Sequence, residues 1–307
     1  MSDASLTDYR PLWRDYLEMC KPRVVLLMLL CALVGMFLSV PGMVAWNILV
    51  FGLFGIALVA ASAAAVNHIA DAEIDAQMAR TKNRPVVTGR VSRHRGIVFA
   101  GVVGTTGFLV LYFLINPLTA WLNFASWLGY GVFYTFYLKR ATSQNIVIGG
   151  LFGAAPPLFG WTAVTGDVGL GGLLLVLIIF VWTPPHFWAL ALDRKKEYEK
   201  ADVPMLPVTH GEGYTRRQIL FYTILLVVCS ILPCVIGMSG WIYLLSSIGL
   251  GGVFLYWALV LLRARNPRAP MQTFRYSILY LMVLFLALMV DHYLLPSSAL
   301  GFPVAFL

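Results

Sequence analysis

Charge is what this sequence has least of. Of its 307 residues 12% are charged, about half of the roughly 25% usual in a soluble domain. Hydrophobic residues make up 60%, and the mean hydropathy is +0.80. So few charges cannot cover a globule of this size, which excludes a soluble enzyme. The apolar excess and the lack of a short repeat exclude a disordered chain, a collagen and a coiled coil. Cysteine is scarce as well. Cys20, Cys31, Cys229 and Cys234 form no CxxC pair and lie in or beside apolar stretches, so they are expected to be packing residues rather than disulfides or zinc ligands. Acidic residues are the rarer charge, 14 against 22 Lys and Arg. In a soluble protein that balance would suggest nucleic acid. Here it is explained by cationic loops held on one side of a bilayer, and no nucleic-acid partner is expected. No cleavage pattern precedes the first apolar run, so no removable signal peptide is expected.

Apolar runs are abundant. They lie near 24–40, 44–66, 97–115, 118–138, 146–164, 170–192, 219–238, 241–262 and 276–295, and their lengths suit helices rather than barrel strands. The expected fold is an all-α polytopic membrane protein, with about nine transmembrane helices around a central cavity. Residues 24–295 form one domain, preceded by an arm over 1–23 and followed by a tail over 296–307. The connections alternate in character. Those at Pro41–Met43, Asn116–Pro117, Thr165–Gly169 and Ser239–Gly240 are short and almost uncharged. The arm and the segments 67–96, 139–145, 193–218 and 263–275 hold all 22 Lys and Arg. The positive-inside rule therefore places the N-terminus and these loops in the cytoplasm and the C-terminus outside. No Lys or Arg falls within a span, and Asp167 and Asp291 sit at span ends. That argues against an ion-coupled transporter, which needs ionisable groups near the midplane.

Polar chemistry gathers after the second run. Asn67, Asp71 and Asp75 recur every four residues, so a helix places them on one face about 6 Å apart per step. Two carboxylates and an amide oxygen so stacked call for a cation between them, and an oxygen-only donor set suits Mg²⁺. Arg80, Lys82 and Arg84 follow at once and could balance a diphosphate. The alternative is a solvated helix end beside a positive-inside loop. A calcium loop is rejected, because Ala76 stands where its glycine should be and Lys82 where its last acid should be. Lys196 is a further candidate for the diphosphate, and Tyr134, Tyr137 and Tyr198 could line an isoprenoid or cation site. His186 follows Pro184-Pro185 inside the sixth run. His68 and His210 rank behind it, while His94 and His292 are read as solvated or peripheral. Pro156-Pro157 and Pro184-Pro185 are expected to break their helices.

Asn-x-x-x-Asp-x-x-x-Asp after the second of nine spans resembles the intramembrane (UbiA-type) prenyltransferase superfamily. Further segments resemble its protohaem IX farnesyltransferase (haem O synthase) branch over about residues 18–295. They include Lys21-Pro22-Arg23, Arg80 to Pro85, Lys139-Arg140, Asn145 to Gly150, Gly153 to Pro157, Trp182 to Phe187 with its Pro-His-Phe, and Val203 to Val208. The second acidic motif departs from the superfamily's Asp-rich pair: it reads Asp193-Arg-Lys-Lys-Glu197-Tyr198, so Glu197 fits the branch's acidic position and Asp193 is assigned no metal. His68 is often lacking in the branch.

The resemblance implies Mg²⁺-dependent farnesyl transfer from farnesyl diphosphate to a vinyl group of haem b. Asn67, Asp71, Asp75 and Glu197 would serve the metal. Arg80, Lys82, Arg84 and Lys196 would serve the diphosphate, and His186 and Tyr198 the bound substrates. It further implies a bacterial inner membrane with the active-site mouth on its cytoplasmic side, and contact with haem A synthase or a terminal oxidase assembly. Three other readings remain. A prenyltransferase for an aromatic quinone precursor would need the same metal site. A haem carrier or transporter would not need aligned aspartates beside a basic loop. A membrane redox subunit would need paired histidines, which the five scattered ones do not offer.

Overall fold

The computed structural model describes residues 12–79 and 81–294. Arg80, the first eleven residues and the tail over 296–307 lie outside the described residues. Every regular element among those described is helical. In chain order these are α1 (Trp13–Met19), α2 (Pro22–Leu38), α3 (Trp46–Ala70), α4 (Ala72–Gln77), α5 (Arg93–Leu114) and α6 (Pro117–Trp127). α6 continues into a π-helical segment, Leu128–Leu138. Then come α7 (Lys139–Ala141), α8 (Asn145–Gly153), α9 (Pro156–Thr165), α10 (Leu170–Asp193) and α11 (Lys195–Lys200). The last are α12 (Leu206–Thr209), α13 (Gly211–Val235), α14 (Trp241–Leu262) and α15 (Ala269–Leu294).

Among the described residues, seven single helical stretches are long and apolar enough to cross a membrane, and the pair α1 and α2, bent by 54°, raises the number to 8. The expected run at 118–138 is helical throughout, but its winding changes from α to π at Leu128. The bundle has apolar residues both inside and out. Phe113, Val102, Leu245 and Leu286 are exposed on its surface, as suits a protein whose solvent is hydrocarbon.

Helices approach closely where side chains are small. α2 packs along α9, and a methyl group on Gly160 would overlap the Ala32 carbonyl. α3 packs along α5, and α10 lies against both α13 and α15. A large apolar cluster including Leu175, Ile178, Tyr243, Phe254 and Tyr280 fills the space among α10, α13, α14 and α15.

The proline expectation holds for one pair and fails for the other. Pro156 and Pro157 open α9 after the break that ends α8. Pro184 and Pro185 instead lie within an unbroken α10. Thr183 just before them donates to the Ile179 carbonyl at 2.8 Å, and neighbouring helices hold the segment, which is buried throughout; membrane helices tolerate proline under such conditions. The four thiols are free, but only Cys31 and Cys229 are fully buried.

At the end of the bundle away from the basic loops, Asp291 of α15 caps a different helix. Its carboxylate accepts from the Gly240 amide and, at 3.1 Å, from the Tyr243 amide, supplying donors at the start of α14 that would otherwise be unsatisfied. Asp291→Ala leaves these buried donors without a partner and should cost about 2 kcal/mol. A lowered thermal midpoint of the detergent-solubilised protein is the expected result; an unchanged midpoint would refute the cap.

Candidate active site

The acidic ladder forms where α3 gives way to α4. Asp71 closes one helix and opens the next, yet the i to i+4 pattern persists: the Asp71 amide donates to the Asn67 carbonyl at 3.0 Å and the Asp75 amide to the Asp71 carbonyl at 2.8 Å. The helical register therefore survives the junction. Asn67, Asp71 and Asp75 are each 4% exposed. Carboxylates this buried need partners, and each ladder residue has a cation. Lys21 donates to Asn67 Oδ1, Lys139 lies 2.7 Å from Asp71 Oδ2, and Arg84 is paired with Asp75.

These cations come from three parts of the chain. Lys21 sits at the bend between α1 and α2 in a left-handed conformation, φ 50°, one that a non-glycine residue adopts at a cost. Lys139 follows the π-segment. Arg84 lies in the loop after α4, and Thr81 in that loop donates to the Asp75 carbonyl at 3.0 Å. A second ion-pair set fastens the loop to α1: Arg90 holds Asp15 at 2.6 Å and the Asn83 carbonyl at 2.7 Å.

The π-segment adds a further link. Thr135 gives its single hydroxyl proton to the Tyr130 carbonyl at 2.7 Å and so can only accept from Asn67 Nδ2, at 3.4 Å. Asn67 Nδ2 also donates to Asp71 at 2.8 Å. Both contacts direct the amide nitrogen inward and leave its oxygen on the Lys21 side. On the same segment the Tyr130 and Tyr134 rings stack at 5.4 Å, and Tyr134 fits against Gly149, where a methyl group would strike its ring.

The other candidates are placed less centrally. Lys82 and Lys196 are exposed. Glu197 is engaged by Arg194 at 2.7 Å, whose guanidinium is raised above its ordinary pKa chiefly by that hydrogen bond. Asp193 faces the same Arg194 at 3.4 Å. Tyr198 is half-buried and packs against the cluster that includes Trp188 and Leu206. Tyr137 is exposed, stacked on Phe133. Among the described residues no three His, Cys, Asp or Glu side chains converge as a metal site. A cation at the ladder would thus have two carboxylates and an amide oxygen, with its remaining positions open. That donor set fits Mg²⁺, which binds through one or two carboxylates together with phosphate oxygens and water.

His186 is built into a separate, well-ordered setting. Its ring lies between Trp182 at 4.2 Å and Phe274 at 4.5 Å, and Nδ1 is 2.6 Å from Ser277 Oγ. Ser277 donates its proton to the Phe274 carbonyl at 2.7 Å. The hydroxyl must therefore accept from Nδ1–H, which leaves the lone pair on Nε2. His68 is buried with Nδ1 unpartnered among the described residues. His210 bonds Thr209 at the surface, His292 contacts the Val40 carbonyl, and His94 is exposed.

Sequence reasoning missed Lys21 and Lys139 as partners of the ladder, Thr135 as its brace and Ser277 as the partner of His186. The two lysines were visible as basic residues flanking spans; spacing alone could not tell them from ordinary topological charge.

An all-helical membrane bundle, with buried carboxylates ringed by cations at one end of an apolar interior, has the character of an intramembrane prenyltransferase. The chain belongs to the UbiA prenyltransferase family, whose model matches residues 28–289. It is 62% identical over 284 residues to a protein of Pseudomonas fluorescens named protoheme IX farnesyltransferase 1, covering 92% of this chain and 95% of the relative. A protoheme IX farnesyltransferase of Saccharophagus degradans is 58% identical, with 93% and 94% covered. Among solved structures, a digeranylgeranylglyceryl phosphate synthase shares the fold with a TM-score of 0.78 at 20% identity, covering 91% of this chain and 98% of that one. A UbiA homologue from Archaeoglobus fulgidus, solved with DMAPP and Mg²⁺, has a TM-score of 0.64 at 16% identity, with 90% and 99% covered.

If Lys139 neutralises Asp71 as the geometry indicates, Lys139→Met leaves a buried carboxylate uncompensated. Prenyl transfer should fall on the order of 10²-fold, while Arg140→Met, one residue on and exposed, should have little effect. Equal losses in steady-state assays of the two variants would contradict a specific role for Lys139.

Proposed function

We propose that this prenyltransferase moves a farnesyl group from farnesyl diphosphate to a vinyl group of haem b, with Mg²⁺ held by Asn67, Asp71 and Asp75. The observation that carries the diphosphate site is the ladder of three buried oxygen donors, each facing a cation. The acceptor is inferred from relatives about 60% identical that are named for protoheme IX. Glu197 is assigned to the same mouth only if it leaves Arg194.

When bound, Mg²⁺ would neutralise the diphosphate and lower the cost of its departure. The chain's own residues do the rest. Lys139 and Arg84 neutralise the two carboxylates and Lys21 holds the Asn67 oxygen before substrate arrives, and all three turn to the phosphate oxygens when it does. Lys82 and Lys196 add positive charge at the exposed rim, and Arg80 is assigned to the diphosphate from its place in the sequence. As the allylic C–O bond breaks, its electron pair leaves with the diphosphate, where these cations stabilise it. The apolar interior keeps water from the allylic cation, and the faces of Tyr130, Tyr134 and Tyr198 offer it electron density. The vinyl π-pair then forms the new C–C bond. Water adds a hydroxyl to the adjoining carbon and releases a proton, giving the hydroxyethylfarnesyl group of haem O. His186, with its ring fixed and Nε2 unprotonated, is assigned to the haem. We further infer nine crossings in a bacterial inner membrane, with this mouth facing the cytoplasm and a haem-processing assembly as the downstream partner.

Purified protein incubated with haem b, farnesyl diphosphate and Mg²⁺ should yield a product heavier by the farnesyl and hydroxyl groups, identified by mass. Asp71→Ala and Asp75→Ala should lose this activity by on the order of 10²-fold or more, measured on the fraction of each variant that still elutes as folded protein. Full activity in both would sink the metal assignment. Transfer to 4-hydroxybenzoate but not to haem would instead replace the acceptor. His186→Ala should abolish the absorbance shift on adding haem, and an unchanged shift would remove His186 from the haem site.

A further inference from the structure

A cavity of about 520 Å³ opens on the bundle surface among α3, α4, α5 and the α6–π stretch, on the outer side of the helices that carry the ladder. Its two ends differ in chemistry. At the end near the basic loops it is lined by Glu73, Arg93 and Arg140. Further in, Ile97, Trp127 and Phe136 line it; Ile97 and Phe136 are about 60% exposed. From Arg93 to Gly101, both on α5, the groove descends eight residues, or about 12 Å of helix, most of the ~15 Å thickness of one leaflet's hydrocarbon.

The charges at the polar end select among headgroups. Arg93 is already paired with Glu73 at 3.2 Å, so no carboxylate remains for a choline or ethanolamine ammonium. Arg140 is exposed and forms no ion pair among the described residues, leaving one net positive charge at the mouth. A phosphate at a cationic mouth above an apolar channel one leaflet deep is the geometry of a phospholipid with no positive headgroup.

We propose that this groove binds an anionic phospholipid, its phosphate on Arg140 and Arg93 and one acyl chain along Ile97, Gly101 and Phe136. Thr135 lines the same groove and braces Asn67 on its other side. The lipid therefore lies one side chain from the acidic ladder. This site does not depend on which acceptor the enzyme uses.

Gly101 supplies a clean test, because a Cβ built there meets nothing within 4 Å. Gly101→Leu starts into open space and projects into the groove that Gly101 lines, and leucine favours the helix more than glycine does. Arg140→Gln removes the mouth's free charge. The full chain is reconstituted into bilayers of phosphatidylcholine doped with phosphatidylglycerol, released, and examined by native mass spectrometry. Wild-type protein should retain phosphatidylglycerol in preference to phosphatidylcholine. Both variants should lose that preference while keeping the wild-type thermal midpoint in pure phosphatidylcholine, and excess inorganic phosphate should not displace the retained lipid. Equal retention of the two lipids by wild type, or undiminished preference in either folded variant, would overturn the proposal. Displacement by inorganic phosphate would overturn it in favour of a plain anion site. Should one variant fail to fold, the other decides.

Discussion

Two carboxylates and an amide are buried at one end of an apolar bundle, and the arrangement is tenable only because cations reach them. An isolated carboxylate with 4% exposure would be protonated or would pull its helix toward water. Here Lys139 reaches Asp71 from the end of the π-segment, Arg84 reaches Asp75 from the next loop, and Lys21 reaches Asn67 from the bend between α1 and α2. Three separate pieces of chain are thereby fixed around one helical face. The left-handed Lys21, the persistence of helical register through Asp71 and the Arg90–Asp15 clamp all serve that arrangement.

The same pairing explains why the mouth suits a diphosphate. Cations that balance fixed carboxylates are available to an incoming polyanion, provided that another cation takes over the carboxylates. Mg²⁺ arriving with the diphosphate would meet that condition: Asn67, Asp71 and Asp75 would hold it, and Lys21, Lys139 and Arg84 would be free to turn to phosphate. Each carboxylate would keep a cationic partner throughout, which a low-dielectric site requires. The stacked Tyr130 and Tyr134 and the sandwiched His186 lie in less polar surroundings than the ladder.

Much of this was legible in the sequence, for identifiable reasons. Hydrophobic runs of membrane-spanning length need no tertiary information, so helices were found at each expected run. The four-residue spacing of Asn67, Asp71 and Asp75 is likewise local, and the helix preserves it. Arg84 was singled out as a basic residue near the ladder, and it pairs with Asp75. What stayed hidden depends on distant segments meeting. Lys21 lies 46 residues from Asn67 and Lys139 lies 68 from Asp71, and nothing in their local sequence separates them from Lys82 or Lys196. The π winding that brings Thr135 to Asn67 has no simple pattern. Pro184 and Pro185 misled because local rules treat proline as a breaker, whereas a buried membrane helix supported by its neighbours runs through them.

Substrate binding, as proposed, exchanges the side-chain cations on the ladder for a metal–diphosphate pair. The most direct measurement is the calorimetric affinity of the purified protein for Mg²⁺, alone and with saturating inorganic diphosphate. Mg²⁺ alone should bind weakly, because Lys21, Lys139 and Arg84 already hold the ligand oxygens, and should bind at least tenfold tighter, about 1.4 kcal/mol, with diphosphate present. Equally tight Mg²⁺ binding with and without diphosphate would contradict it.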